Sequence, residues 1–268
     1  MRFHALLLTL DEERQVRACL ESLAAATSVL VIDSGSRDRT LAIVAEFPHA
    51  RAVARPFVSF ADQRNFGLAS GFAAGEWVFH VDADERLTPA LVDELRALEP
   101  PPDAVAYNVA ALTFLGGRPV RRAAGFPVYQ TRLTRAGTFA FEQVGHGQKA
   151  PAHYGALRHL RAPYEHHPFE KGFEAWRARH ATYARQEARD LAAPVARPTL
   201  AAARHDPIAR RQWLKHASAR LPLRPALVWA WLMFARRGVL DGPAGWEYCR
   251  LRRLYERMVQ HELRRLTH

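Results

Sequence analysis

An apolar run that leads directly into three acidic residues constrains the possible fold of this chain more than any other stretch. The run covers residues 77–81, and the acids that follow it are Asp82, Asp84 and Glu85. Because residues two apart on a strand point to the same face, we expect Asp82 and Asp84 to direct both carboxylates at one place. Two carboxylates at the end of a buried strand suit Mg²⁺ or Mn²⁺ shared with phosphate oxygens. The pattern also fits a strand that ends in a solvated acidic turn, since short motifs match by chance.

Short apolar runs alternate with helical patterns through the first third of the chain. The runs predict strands at residues 5–10, 28–32, 50–54 and 77–82, with helices after Asp11, at 40–47 and at 62–74. This alternation predicts parallel βαβ units, in which ligands lie beyond the carboxyl ends of the strands. Acidic turns follow three of the strands, at Asp11, Asp33 and residues 82–85. We therefore expect an α/β fold with Asp11 as a cap of the first helix and the acidic turns gathered at one edge.

The rest of the chain predicts an antiparallel extension of the sheet and then helices. Strands are expected at residues 104–114, 129–134 and 138–144, and helices at 169–187, 206–219 and 243–266. This change of character predicts two domains, a catalytic domain at residues 1–160 and a helical region at residues 161–268. His180 falls on the apolar stripe of the first of these helices, which favours a core histidine over a site residue.

The charge and cysteine content narrow the class of protein. The 38 Lys and Arg residues outnumber the 27 Asp and Glu residues, giving a net charge of +11, which favours anionic partners. The two cysteines, Cys19 and Cys249, do not form a zinc-site pattern and fit a reducing compartment. The N-terminus lacks the features of a signal peptide, and no apolar window is long enough to span a bilayer. These features predict a cytoplasmic protein.

Residues 223–237 combine an apolar run with Trp229, Trp231 and flanking arginines. Two readings remain open for this segment. One is a helix that lies in a membrane interface, which would place the protein peripherally on an anionic inner membrane. The other is a buried helix that packs on the catalytic domain, since tryptophan and leucine usually serve cores.

Three motifs in order resemble family 2 glycosyltransferases of the GT-A fold. They are residues 9–13 (Thr-Leu-Asp-Glu-Glu), residues 31–40 around Asp33, and residues 81–85 (Val-Asp-Ala-Asp-Glu), with Gln63-Arg64-Asn65 and Trp77 between them. The likeness is strongest to the branch near lipopolysaccharide-core glucosyltransferases and covers residues 3–147. Residues 176–188 and 238–255 resemble, more loosely, the helical tails of bacterial surface-polysaccharide members.

This resemblance implies an inverting, metal-dependent transfer from a nucleotide-sugar donor to a glycan or lipid-linked acceptor in lipopolysaccharide or exopolysaccharide biosynthesis. The residues that it implies for donor binding are Thr9, Asp11, Glu12, Asp33, Arg64 and Asp82. Asp82 and Asp84 would bind the divalent metal, Mg²⁺ or Mn²⁺. Asp11 departs from the family, which usually has Asn there, and a carboxylate accepts hydrogen bonds but does not donate them.

The general base is less evident from the sequence. Residues 144–147 read Val-Gly-His-Gly, where related sequences often read Val-His-Glu. Glu142 and His146 are the nearest titratable groups and are therefore the candidate bases, although each also fits a solvated loop residue and His146 also fits a metal ligand. Arg64 fits either a donor-phosphate contact or an ordinary surface arginine.

Two other classes of protein compete with the enzyme interpretation. A basic nucleic-acid-binding protein would explain the net charge, but the arginines are dispersed and no nucleic-acid motif is present, so we expect no nucleic-acid partner. A catalytically inactive protein that binds sugar nucleotides would explain the altered residues 144–147.

Overall fold

The computed structural model describes residues 1–144, 147–155, 157–193, 199, 204–219 and 221–267. The chain forms two compact units. The first, here called the sheet unit, comprises Met1–Gly117 and Phe126–Glu170, and the second, the helical unit, comprises Arg118–Gly125 and Lys171–His268.

Parallel strands form the first half of the sheet unit. The strands are β1 (His4–Thr9), β2 (Val29–Asp33), β3 (Ala50–Ala54) and β4 (Trp77–Asp82), and the intervening helices are α1 (Val16–Ser22), α2 (Thr40–Val44) and α3 (Phe60–Gly71). They lie in the order β3-β2-β1-β4, every pair parallel. The predicted βαβ arrangement is confirmed.

Both faces of this parallel sheet are covered, which explains its nearly continuous apolar strands. Leu7 and Val31 belong to one apolar cluster, whereas their neighbours Leu6 and Leu30 belong to a second one. Successive side chains on a strand point to opposite faces, so the two clusters lie on the two sides of the sheet.

The second half of the sheet unit is mixed. Its elements are β5 (Glu85–Leu87), α4 (Pro89–Ala97), β6 (Ala106–Leu115), β8 (Val128–Arg135), β9 (Glu142–Val144), β10 (Gly147–Lys149), β11 (Arg158–His159) and β12 (Tyr164–His166). Strand β8 runs antiparallel to both β4 and β6, and the sheet continues through β12 to β5. This confirms an antiparallel extension, and the α/β fold class with it.

A side-chain cap explains where α3 begins. Ser59 accepts a hydrogen bond from the amide of Asp62 and starts α3 two residues earlier than its sequence indicates. Asp11 does not cap a helix: it has a positive φ of 53°, and α1 begins only at Val16.

The strand expected at residues 138–144 is confined to Glu142–Val144, so that prediction was too long.

The helical unit contains β7 (Arg118–Val120) and the helices α5 (Phe173–Ala192), α6 (Pro207–Ser218), α7 (Arg224–Ala230) and α8 (Gly242–Thr267). A π-helical turn, Trp231–Ala235, and a 3-10 turn, Gly238–Asp241, connect α7 to α8. Asp241 accepts hydrogen bonds from the amides of Arg122 and Ala123, both at 2.8 Å, which fixes residues 118–125 to this unit. Within the described ranges, no helix is both long and apolar enough to cross a membrane.

Candidate functional site

The carboxyl ends of β1, β2 and β4 lie side by side. Thr9 is paired in register with Asp33, and Leu8 with Asp82. The loops that follow these strands, including Asp11 and Asp84, therefore start at one edge of the sheet. This is the edge at which open parallel sheets bind their ligands.

Asp33 organises the turn after β2. Its carboxylate accepts hydrogen bonds from the Thr9 hydroxyl at 2.8 Å, the Ser36 hydroxyl at 2.5 Å, and the amides of Gly35 and Ser36 at 3.0 and 2.8 Å. Burial raises the pKa of Asp33, but these hydrogen bonds outweigh it and hold the pKa below its ordinary value. The carboxylate is thus charged, and its hydrogen bonds shape the turn after β2.

Hydrogen bonds join the loop after β1 to the loop after β2. Asp11 accepts from the amide of Arg37 at 2.7 Å and donates its own amide to the Ser36 hydroxyl at 2.9 Å. The amide of Glu12 donates to the Thr40 hydroxyl at 2.7 Å. Both residues therefore lie at the predicted edge, in a loop that is fixed by hydrogen bonds to its neighbour.

Two buried arginines hold the carboxylate of Asp82. Arg64 contacts Oδ1 at 2.7 Å and Arg132 contacts Oδ2 at 3.2 Å, and these guanidinium side chains are 1% and 3% exposed. Burial raises the pKa of Asp82, but the two arginines outweigh it and lower the pKa below its ordinary value. The interpretation of Arg64 as a surface arginine is therefore wrong.

Glu85 completes this buried cluster. It forms an ion pair with Arg132 and accepts a hydrogen bond from the amide of Asp82 at 2.9 Å. Burial raises the pKa of Glu85 to about 7, against the attraction of Arg132. Glu85 thus supports Asp82 from the interior of the sheet unit.

Asp84 has different partners from Asp82. Strand β4 ends at Asp82, and Asp84 lies in the turn before β5, so the two carboxylates are not related by the alternation of a strand. The Nε2 atom of His166 lies 3.6 Å from Oδ2 of Asp84, and Asp84 is 14% exposed. Burial lowers the pKa of His166, but the Asp84 carboxylate outweighs it and raises the pKa above its ordinary value.

The pairing of β12 with β5 brings His166 to this position. His166 lies opposite Glu85 in register, and the amide of His167 donates to the backbone oxygen of Asp84 at 2.7 Å. Sequence reasoning missed His166, because it is separated from the acidic motif by some eighty residues and only strand pairing joins them. The available signal was the His166-His167 pair in a short β-forming run.

A cavity of about 600 Å³ opens beside Asp82. Polar and basic residues from β6, β8 and β10 line it, among them Asn108, Thr131, Arg132 and Lys149, together with Arg64 from α3. Within the described part of the chain, Nε and Nη1 of Arg64 are buried and have no hydrogen-bond partner. A buried guanidinium in this state favours an anionic or strongly polar ligand nearby.

The structure describes one of the two candidate bases, Glu142. Glu142 is exposed on β9, opposite Lys149 of β10. His146 lies outside the described residues. Their assignment as catalytic groups stays a prediction.

The sequence profile described as "Glycosyl transferase family 2" matches residues 5–209, which is most of the chain and includes every site residue named above. The chain belongs to glycosyltransferase family 2. The resemblance seen in the motifs and the predicted enzyme class are thereby confirmed at the level of the family.

Curated relatives match a shorter region. The chain is 35% identical over 118 residues to the lipopolysaccharide core biosynthesis glycosyltransferase LpsC of Rhizobium meliloti, a match that covers 42% of this chain and 43% of LpsC. It is also 35% identical over 95 residues to the uncharacterized glycosyltransferase RC0292 of Rickettsia conorii, covering 35% and 33% of the two chains. The chain thus spans less than half the length of these relatives.

Two solved structures are similar at low identity. TarS (1–349) of S. aureus, solved in complex with UDP-GlcNAc, is 15% identical, with coverage of 100% of this chain and 92% of that one and a TM-score of 0.49. Glucosyl-3-phosphoglycerate synthase of Mycobacterium tuberculosis, in complex with Mn²⁺, UDP and glucosyl-3-phosphoglycerate, is 22% identical, with coverage of 43% and 45% and a TM-score of 0.34.

Proposed function

We propose that this protein transfers a sugar from a nucleotide-sugar donor to a glycan or lipid-linked acceptor in the assembly of bacterial lipopolysaccharide or exopolysaccharide. Family membership supports the chemistry, and the name of the relative LpsC supports the pathway. The observation that carries the proposal is the meeting of Thr9, Asp33 and Asp82 at adjacent strand ends. We place the reaction in the cytoplasm, which the free, buried thiols of Cys19 and Cys249 support.

Asp84 and His166 offer a divalent metal a carboxylate and an imidazole that lie 3.6 Å apart. The two oxygens of Asp82 contact Arg64 and Arg132, and these positive charges oppose a metal ion at Asp82. No group of three such ligands occurs in the described residues. Mg²⁺ and Mn²⁺ commonly bind one or two protein ligands and complete their shell with substrate phosphates and water. We therefore infer that Asp84 and His166 would hold the metal, which would neutralise charge on the leaving diphosphate.

We infer that Asp82 acts instead as a fixed acceptor for donor hydroxyl groups. The two arginines keep it ionised and hold its orientation, so it accepts hydrogen bonds without reorganisation. Arg64 lines the neighbouring cavity and adds positive charge to it. For an inverting transfer, the acceptor hydroxyl must lose a proton to a base, and Glu142 and His146 remain the candidates for that role.

Calorimetric titration with UDP, GDP and dTDP sugars, with and without Mn²⁺, tests this function. We expect one donor to bind in a metal-dependent way, and Asp84→Ala and His166→Ala to weaken that binding by about tenfold or more. Asp103→Ala is a matched control, because Asp103 is an exposed aspartate of the same unit whose carboxylate contacts Arg158 at 3.5 Å. Metal-independent binding, or none for any donor, would refute the assignment.

Transfer assays then separate the enzyme from an inactive binding protein. With the donor identified, we expect release of the nucleoside diphosphate in the presence of acceptor and a large loss in Glu142→Gln or in His146→Gln. Donor binding without hydrolysis or transfer would favour the inactive protein that the altered residues 144–147 suggest.

A further inference from the structure

Large apolar side chains are exposed along α7 and the turn that follows it. Leu223, Leu227, Trp231 and Phe234 are 68%, 55%, 52% and 63% exposed. They are four, four and three residues apart, the spacing of neighbours on one side of a helix. The reading of residues 223–237 as a buried helix is therefore wrong for these side chains.

The exposed surface continues into the 3-10 turn and the start of α8. Val239, Leu240 and Trp246 are 52%, 64% and 53% exposed. The ring of Trp229 lies 6.0 Å from that of Phe234 and 5.5 Å from that of Trp246, which joins the two parts. These seven exposed residues, Leu223, Leu227, Trp231, Phe234, Val239, Leu240 and Trp246, are here called the apolar face. Single exposed apolar residues are common, but a contiguous group of this kind marks an interaction surface.

Arginines surround the apolar face. The guanidinium of Arg236 lies 5.4 Å from the centre of the Trp231 ring, and Arg237 is exposed beside it. Arg121 and Arg122 are exposed as well, and the hydrogen bonds to Asp241 hold their loop against the turn that carries Val239 and Leu240. Trp, Leu and Phe on one face with arginines at its border is the pattern of a helix that lies in a membrane interface.

The net charge of the helical unit favours an anionic bilayer over a second copy of this chain as the partner of the apolar face. Its sequence contains 23 Lys and Arg residues and 8 Asp and Glu residues, a balance of +15, whereas the sheet unit has 15 against 19, a balance of −4. A second copy of the chain on the apolar face would bring two strongly positive units together. An anionic bilayer would instead attract the arginines near its surface.

We propose that the apolar face is the surface by which this protein lies on an anionic phospholipid bilayer. Its aromatic and leucine side chains enter the boundary between headgroups and acyl chains, and Arg121, Arg122, Arg236 and Arg237 contact the lipid phosphates. This attachment is peripheral, since α7 is a seven-residue helix. The proposal does not depend on the sugar, the metal or the occurrence of transfer.

Vesicle flotation of the full chain, without donor or metal, tests the proposal. We expect binding to vesicles of equal parts phosphatidylglycerol and phosphatidylcholine, and much weaker binding to phosphatidylcholine alone. The triple variant Leu227→Ser/Trp231→Ser/Phe234→Ser is expected to bind at least about tenfold more weakly. Leu266→Ser is the matched control: Leu266 is 50% exposed at the other end of α8, about 30 Å along the helix from Trp246, and its loss should leave binding unchanged.

A second measurement does not depend on the folding of the triple variant. Brominated phosphatidylglycerol vesicles should quench the tryptophan fluorescence of the wild-type protein, and Trp231→Phe and Trp246→Phe should each reduce the quenched fraction.

No flotation with the anionic vesicles at about 0.1 M salt would overturn the proposal, as would quenching that both variants leave unchanged. Flotation unaffected by the triple variant would also overturn it, because charge alone would then account for binding. So would a dimer, seen by light scattering, that the triple variant dissociates.

Discussion

Arg132 stabilises the site by serving two carboxylates at once. It forms ion pairs with Asp82 and Glu85 and donates to the Tyr164 hydroxyl at 3.3 Å, while its own side chain is 3% exposed. We expect Arg132→Met to lower the free energy of unfolding by about 3–5 kcal/mol, because the substitution removes a buried cation that offsets the negative charge of both Asp82 and Glu85. Urea unfolding monitored by fluorescence measures this change.

Arg158 provides the comparison at the surface of the same unit. It contacts Asp103 at 3.5 Å, and the two side chains are 54% and 77% exposed. Arg158→Met should therefore change the free energy of unfolding by less than about 1 kcal/mol. Similar losses of unfolding free energy in Arg132→Met and Arg158→Met would show that burial does not determine how much Arg132 contributes to stability.

The residues of the site were predictable to different degrees, for reasons of distance along the chain. Asp33 and Asp82 end apolar strands, so the alternation of strands and helices was enough to predict that both lie at the carboxyl edge of the sheet. Asp84 was expected to share a strand face with Asp82, and that argument fails because the strand ends at Asp82. His166 and Arg132 were missed because their partners depend on the pairing of β12 with β5 and of β8 with β4, which the sequence does not encode at short range.

At the scale of the element, α5 contains a histidine that should make the helical unit sensitive to acid. His180 stacks on Trp176 with ring centres 4.1 Å apart and lies 5.5 Å from the Tyr255 ring of α8. Burial lowers its pKa to about 4 from an ordinary value of 6.5. The unfolded chain thus binds a proton that the folded one does not, so stability falls as the pH decreases from about 6.5 toward 4.

We expect His180→Gln to remove part of this pH dependence, on the order of 1 kcal/mol in the free energy of unfolding between pH 7 and pH 4.5. Denaturant unfolding at the two pH values measures it in the wild type and the variant. Glu187, whose pKa lies below its ordinary value, loses its bonds to Tyr255 and Lys215 at lower pH, so some dependence should remain. An identical pH dependence in both proteins would contradict the role of His180.

The helices and strands that sequence predicted well are those with one consistent period. The stripe from Phe169 to Glu187 predicted a long helix, and the structure places it at Phe173–Ala192. The apolar runs predicted β1, β2 and β4. Residues 223–237 were harder, because an apolar helix has the same composition whether it faces a core or a lipid surface. The solvent exposure of Leu227, Trp231 and Phe234 distinguishes a helix that faces a lipid surface from a buried one.

At the scale of the whole molecule, a short internal segment belongs to a different unit from the chain on either side of it. Arg118–Gly125 groups with the helical unit, and within that unit its amides are held by Asp241. Val120 and Ala123 are 0% and 3% exposed. A simple cut after Glu170 would therefore remove partners of this segment and leave its apolar side chains more exposed.

This arrangement leads to an expectation for the sheet unit expressed by itself. Residues 1–170 with their native segment 118–125 should associate on size exclusion, because Val120 and Ala123 lose part of their cover. The same piece with Arg118–Gly125 replaced by a short Gly-Ser linker should remain monomeric and unfold in one cooperative thermal transition, since β6 and β8 are antiparallel neighbours that a hairpin loop can join. Association of both pieces alike, or of the linker piece alone, would show that the sheet unit needs the helical unit for more than covering this segment.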